Sequence, residues 1–216
     1  MVNAKNQTGA VKMKLLSKSL TSFLATGIVA MGIAASAFAE DDWLRSAPNF
    51  ALTDQAGVTH TLDQYKDDAF IVFYVQGVGC PIARIALPSY REVRDDFQDK
   101  KVSFLMFNSN IQDSPKRIAR EADEFGIDFP VLKDEGQQLA KALGVERTAE
   151  VFVINPRTKE VMYRGPINDQ LGYETQRNHA NEHFLKDALT TVLAGGTVNI
   201  QDIPDSKGCL VAIFDT

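Results

Sequence analysis

The chain has 216 residues, 44% of them hydrophobic, and a formal net charge of −5. That suits one ordinary domain with a single core. The acidic balance offers no basic patch, which excludes nucleic acid and anionic membrane surfaces as expected partners.

The first 39 residues differ from the rest. They hold Lys5, Lys12, Lys14 and Lys18 and no acid, then an apolar run from Leu20 to Phe38 that closes on Ala37-Phe38-Ala39. This charged, apolar, small-residue order predicts a signal peptide over 1–39, with Met13 as an alternative start. The run is rich in Ala, Gly, Ser and Thr, so a lasting membrane anchor is the weaker alternative. The mature protein, residues 40–216, is expected to begin at Glu40 and to be periplasmic or secreted. N-terminal sequencing of the exported protein checks this, and an intact leader in the membrane fraction would overturn it. Without the four leader lysines, 19 Lys and Arg face 28 Asp and Glu, a net of −9.

Past a polar lead-in, Phe50–Leu52 and Thr59–Leu62 are short strand candidates around the turn-like Asp54-Gln55-Ala56-Gly57. Phe70–Val75 (FIVFYV) reads as a strand buried on both faces. Gly77-Val78-Gly79 leads into Cys80 and then a helix to about Lys100, with Ile82, Ile85, Ala86, Val93 and Phe97 at helical spacing. Val102–Phe107 is a second buried strand. Ser114-Pro115 caps a helix that carries Ile118, Ala122 and Phe125 and stops at Gly126. A strand at Phe129–Leu132 and a helix at Glu135–Leu143 follow. Val151–Ile154 and Glu160–Tyr163 form a hairpin around Asn155-Pro156-Arg157-Thr158. After a polar loop, a last helix spans His183–Leu193. Residues 196–216 are a tail with Cys209 and a strand-like Leu210–Phe214, expected to dock on the domain. Alternating strands and helices closed by a hairpin predict an α/β domain, a central mixed sheet with helices on both faces.

Ala47-Pro48-Asn49-Phe50-Ala51-Leu52-Thr53-Asp54, with Gly57 and Leu62, resembles the opening segment of redoxins. These are the alkyl hydroperoxide reductase and thiol-specific antioxidant group of the thioredoxin-like superfamily. The strand, loop, Cys80 and helix that follow are similar too. So are Pro88, eight residues after Cys80, and Thr148-Ala149-Glu150-Val151-Phe152 before a central strand. The resemblance covers roughly 46–195 and implies a thioredoxin-like fold. Three positions depart from it. Ala83 stands where Cys-x-x-Cys needs its second cysteine. Gly77 stands where the peroxiredoxin pattern has Thr. Ala149 stands at the usual cis-proline, where a trans bond is expected because a cis bond before a non-proline costs roughly 2.5–4 kcal/mol. Lys207-Gly208-Cys209-Leu210-Val211 resembles the ending of some exported peroxiredoxin-like redoxins.

Cys80 lies where a buried strand meets a helix start, whose free N–H groups and partial positive charge favour a thiolate. Arg84, one turn on, adds a second positive influence. A buried structural cysteine is the alternative. Cys209 either resolves an oxidised Cys80 or quietly pins the tail. An exported chain with two cysteines favours pairing. Asp169, in the loop after the hairpin, is a candidate to tune Cys80 or a turn former, and Arg147 or Arg164 a partner for a thiolate. His60 reads as a surface strand residue. His179 and His183, four apart, could join Cys80 and Cys209 in a site for Cu(I) or Zn(II), or be a helix cap and a solvated face. The expected activity is a thiol oxidoreductase with Cys80, Cys209 and Arg84 at its site and no cofactor. Its partners would be a thiol reductant or a disulfide-bearing protein. The alternatives are a copper-handling protein and a redoxin whose disulfide only staples the tail.

Overall fold

The computed structural model describes residues 46–172, 176–199 and 202–214. The expected signal peptide lies outside them. Among the described residues no helix is long and apolar enough to cross a membrane.

The sheet has seven strands: β1 (Ala51–Asp54), β2 (Thr59–Thr61), β3 (Phe70–Val75), β4 (Val102–Asn108), β5 (Val131–Lys133), β6 (Val151–Ile154) and β7 (Val161–Gly165). Their order is β2-β1-β5-β4-β3-β6-β7. The middle strands β3, β4 and β5 run parallel, and β1, β6 and β7 join antiparallel to their neighbours. Every residue of β3 is buried. Alternate side chains divide between two apolar clusters. Val72 and Tyr74 pack with helices α1 (Pro81–Phe97) and α4 (Phe184–Leu193). Ile71, Phe73 and Val75 pack with α3 (Gln138–Leu143), Phe50 and the tail residue Val211. This is the mixed sheet with helices on both faces that the sequence predicts.

Local chemistry explains the boundaries. Helix α2 (Pro115–Phe125) starts on Ser114, whose side chain accepts from Arg117 N–H, and ends on left-handed Gly126. Strand β5 begins after Pro130, which has no N–H to give a ladder, although its carbonyl accepts from Met106 N–H at 2.8 Å. The helix expected from Glu135 begins only at Gln138, because Gln137 is left-handed at φ 53°. On α1 the buried face is Ala83, Ala86, Leu87, Tyr90, Val93 and Phe97. Ile85, expected inside, is 42% exposed. Pro88 sits inside α1 on its exposed face, where it gives up one helix hydrogen bond. The tail makes one isolated bridge, Leu210 with Arg147, rather than a strand.

Candidate active site

The parallel strands end together, and the loops at that end carry the site. Residues 76–80 leave β3 and deliver Cys80 to the N-cap position of α1. Two buried carboxylates hold this loop. Asp113 accepts from Val78 N–H at 3.0 Å, and Glu121 accepts from Gly79 N–H at 3.2 Å. On the other side, Ala149 N–H donates to Val75 O, and Val75 N–H donates to Glu150 O, at 2.8 and 2.9 Å. These bonds bring Thr148 against the loop. A Cβ at Gly77 would lie 2.7 Å from Thr148 Cγ2 and 2.9 Å from Asn110 Nδ2. Gly77 is therefore the residue that lets Thr148 approach, and the Thr of the peroxiredoxin pattern has no room there.

Thr148 joins the two cysteines. Its Oγ1 lies 3.0 Å from Cys80 Sγ and accepts from Cys209 N–H at 2.9 Å. Its own N–H donates to Cys209 O at 2.8 Å. With the Thr148 oxygen accepting from the amide, its proton is free to point at Cys80 sulfur. Both cysteines are free, Cys80 buried and Cys209 exposed. Burial pushes the Cys80 thiol up, but bonds from the Cys209 thiol, the Thr148 hydroxyl and the N–H groups of Ala83 and Cys209 outweigh it and hold it below the ordinary value. Cys209 goes the other way, raised by burial and by its neighbour Cys80. One sulfur is thus buried and inclined to ionise, the other exposed and inclined to keep its proton.

In the sequence Thr148 belongs to a family-like segment, and nothing local marks it as a partner of Cys80, 68 positions away. Its neighbour Ala149, at φ 62°, adopts a left-handed conformation that costs a non-glycine residue of order 1 kcal/mol or more. The trans bond expected before Ala149 is a separate matter from this strain.

The other expected residues are placed as follows. The Arg84 side chain bonds to Glu121 rather than to Cys80, while its charge still interacts with the Cys80 sulfur. Its Nε and one terminal nitrogen donate to Glu121 at 2.8 and 2.7 Å, and its guanidinium lies 3.8 Å from the Phe125 ring centre. Glu121 is 4% exposed, so this forked pair answers a buried charge. Asp169 accepts from the N–H groups of Asn181 and Glu182 and pairs with Arg177, so it organises its own loop. Arg164 pairs with the buried Glu150 at 2.6 Å, while Arg147 donates to Gly208 O at 3.2 Å, one residue before Cys209. His60 is not a plain surface residue. It bonds Tyr65 OH at 2.6 Å and Asp54 Oδ2 at 3.0 Å. His179 and His183 are exposed. Among the described residues no group of three or more His, Cys, Asp or Glu could hold a metal ion. The proposed four-residue ligand set is therefore not assembled, since neither histidine reaches the thiol pair.

A buried thiol at a strand-to-helix junction, on a mixed sheet with helices on both faces, defines a thioredoxin-like protein. Residues 44–164 match the AhpC/TSA family, and the chain belongs to it. Thiol-disulfide oxidoreductase ResA of Geobacillus thermodenitrificans (strain NG80-2) is 28% identical over 115 residues, 53% of this chain and 64% of that protein's length. An uncharacterised conserved protein from Geobacillus kaustophilus has a similar structure, with a TM-score of 0.63 and 27% identity over 81% of this chain and 93% of that one. A putative thiol:disulfide interchange protein DsbE from Chlorobium tepidum shares the fold, with a TM-score of 0.54 and 18% identity over 70% of this chain and 98% of that one.

Proposed function

We propose that this chain is an exported thiol oxidoreductase in which Cys80 is the nucleophile and Cys209 the resolving cysteine. The observation that carries this reading is the junction at Thr148, whose one hydroxyl contacts Cys80 sulfur and the Cys209 amide. Membership of the AhpC/TSA family and the similarity to a thiol-disulfide oxidoreductase support it.

The Cys80 thiolate attacks a peroxide oxygen, breaking the O–O bond. Sulfur becomes a sulfenic acid, and the departing alkoxide takes a proton to leave as an alcohol or water. Cys209 sulfur then attacks Cys80 sulfur, forming the disulfide as the hydroxyl and a proton leave as water. With a disulfide as oxidant, Cys80 forms a mixed disulfide instead, and Cys209 expels the second thiol. In the return step a reducing thiolate attacks the Cys209 sulfur, the exposed one, and expels Cys80. Cys80 is the better leaving group because its thiol is the more acidic. A second equivalent of reductant releases Cys209.

The test is peptide mapping after one equivalent of hydrogen peroxide. The wild type is expected to yield the internal Cys80–Cys209 disulfide. Cys209→Ser should stop at a sulfenic acid on Cys80 that dimedone captures. One equivalent of Cu(I) held through both cysteines, with peroxide reactivity no faster than a free thiol, would overturn the reading in favour of copper handling.

A further inference from the structure

We propose that Gln137 is the latch that seats Cys209 against Cys80, an inference that rests on reading the two cysteines as a reacting pair. Hydrogen bonds hold the tail from Gly208 onward, where Arg147 donates to the Gly208 carbonyl. Cys209 is bound by Thr148. Val211 N–H donates to Glu146 O at 2.9 Å, and its side chain is 7% exposed. Beyond it the chain meets no strand. Ile213 packs, half-buried, against the apolar cluster that includes α3, and the backbone on either side of it is bonded by one side chain.

The Gln137 amide donates to Ala212 O at 2.7 Å and accepts from Phe214 N–H at 3.0 Å. Those two bonds supply an N–H and a carbonyl to the tail as a neighbouring strand would. The Gln137 amide nitrogen also donates to Ser109 O at 2.8 Å, which ties the latch to the loop leaving β4. Asp134 fixes the latch base, because its carboxylate accepts from Ser109 Oγ at 2.8 Å and from Ala140 N–H at 3.0 Å. Gln137 itself is 3% exposed and left-handed, a conformation glycine would adopt at less cost. A side chain with three hydrogen bonds accounts for a residue other than glycine at a backbone that favours glycine. Gln137 touches neither sulfur. It is a positioning residue that acts through the tail.

Two variants remove the latch from opposite sides. Gln137→Ala removes the amide, and a chain ended after Val211 removes its partners, together with the packing of Ile213, while leaving Gln137 and Cys209 in place. Each reduced protein is oxidised with hydrogen peroxide in the presence of 2-mercaptoethanol. The readout is the ratio of internal disulfide to Cys80–mercaptoethanol mixed disulfide, which a loss of general stability would not shift by itself. Both variants are expected to lower that ratio about tenfold or more, the effect of two hydrogen bonds on the docked population. If the wild type forms no internal disulfide, the reading of the cysteine pair fails. If it does and the shortened chain closes as well as the wild type, the latch is overturned, whatever Gln137→Ala does. Should Gln137→Ala fail to fold, the shortened chain decides alone.

Discussion

Gly208→Ala is expected to undock the tail and to suppress the Cys80–Cys209 disulfide more than tenfold. A Cβ at Gly208 would stand 1.7 Å from Thr148 O and 2.5 Å from Thr148 C. Neither atom can yield. Thr148 N–H is bonded to Cys209 O, and the next amide, Ala149, is bonded to Val75 O at the end of β3. Moving Thr148 aside would pull apart the seam between β3 and β6, so the tail must move instead. It then gives up its bonds to Thr148 and Glu146 and the buried side chain of Val211. At about 1 kcal/mol for each of these three hydrogen bonds and 1.5–3 kcal/mol for an apolar side chain, the reduced protein should lose roughly 4.5–6 kcal/mol. Thermal unfolding of the reduced protein measures the stability, and peptide mapping after oxidation measures the pairing. A variant that melts and closes like the wild type would mean that the tail does not pass over Thr148 at this distance.

The sequence made local features legible and hid those that depend on distant partners. The FIVFYV run could only be a doubly buried strand, and Ser114, Pro115 and Gly126 mark both ends of α2 by their own backbone chemistry. Cys80 at the start of α1 follows from the same kind of reading. Arg84 shows its limit. It lies one turn from Cys80 on the same helix, yet its hydrogen bonds go to Glu121, 37 positions away and buried, and only its charge reaches Cys80. Asp169 is spent likewise on residues 177–182. The tail is legible as an apolar, strand-like segment that should dock, yet among the described residues it pairs through an isolated bridge rather than a strand. Beyond Val211 a glutamine side chain bonds the backbone where a neighbouring strand would, and neither periodicity nor propensity points to that. Gly77 looked like a missing threonine. It is the gap through which another threonine, Thr148, reaches the thiol.

Thr148→Val is expected to shift the pH midpoint of Cys80 alkylation upward and to slow its oxidation at neutral pH. Valine keeps the methyl that packs at Gly77 and loses only the hydroxyl. With it go one bond to the Cys80 sulfur and the acceptor for Cys209 N–H. Burial, which raises the Cys80 thiol, remains. Each unit of upward shift lowers the thiolate fraction about tenfold at a pH below the midpoint. Thr148→Ser retains the hydroxyl and should restore most of the rate. Stability gives an independent readout. Cys80 is more acidic in the folded protein than in the unfolded chain, so its ionisation favours folding. That contribution is complete above the unfolded thiol value and disappears as pH falls through the lower folded value. The lost acceptor for the Cys209 N–H costs Thr148→Val the same at every pH, about 1 kcal/mol. The stability gap between reduced wild type and reduced Thr148→Val should therefore widen as the solution becomes alkaline and settle to a constant remainder in acid. A gap that does not change with pH, with an unmoved alkylation midpoint, would show that the Thr148 hydroxyl supports the tail alone and does not tune the thiol.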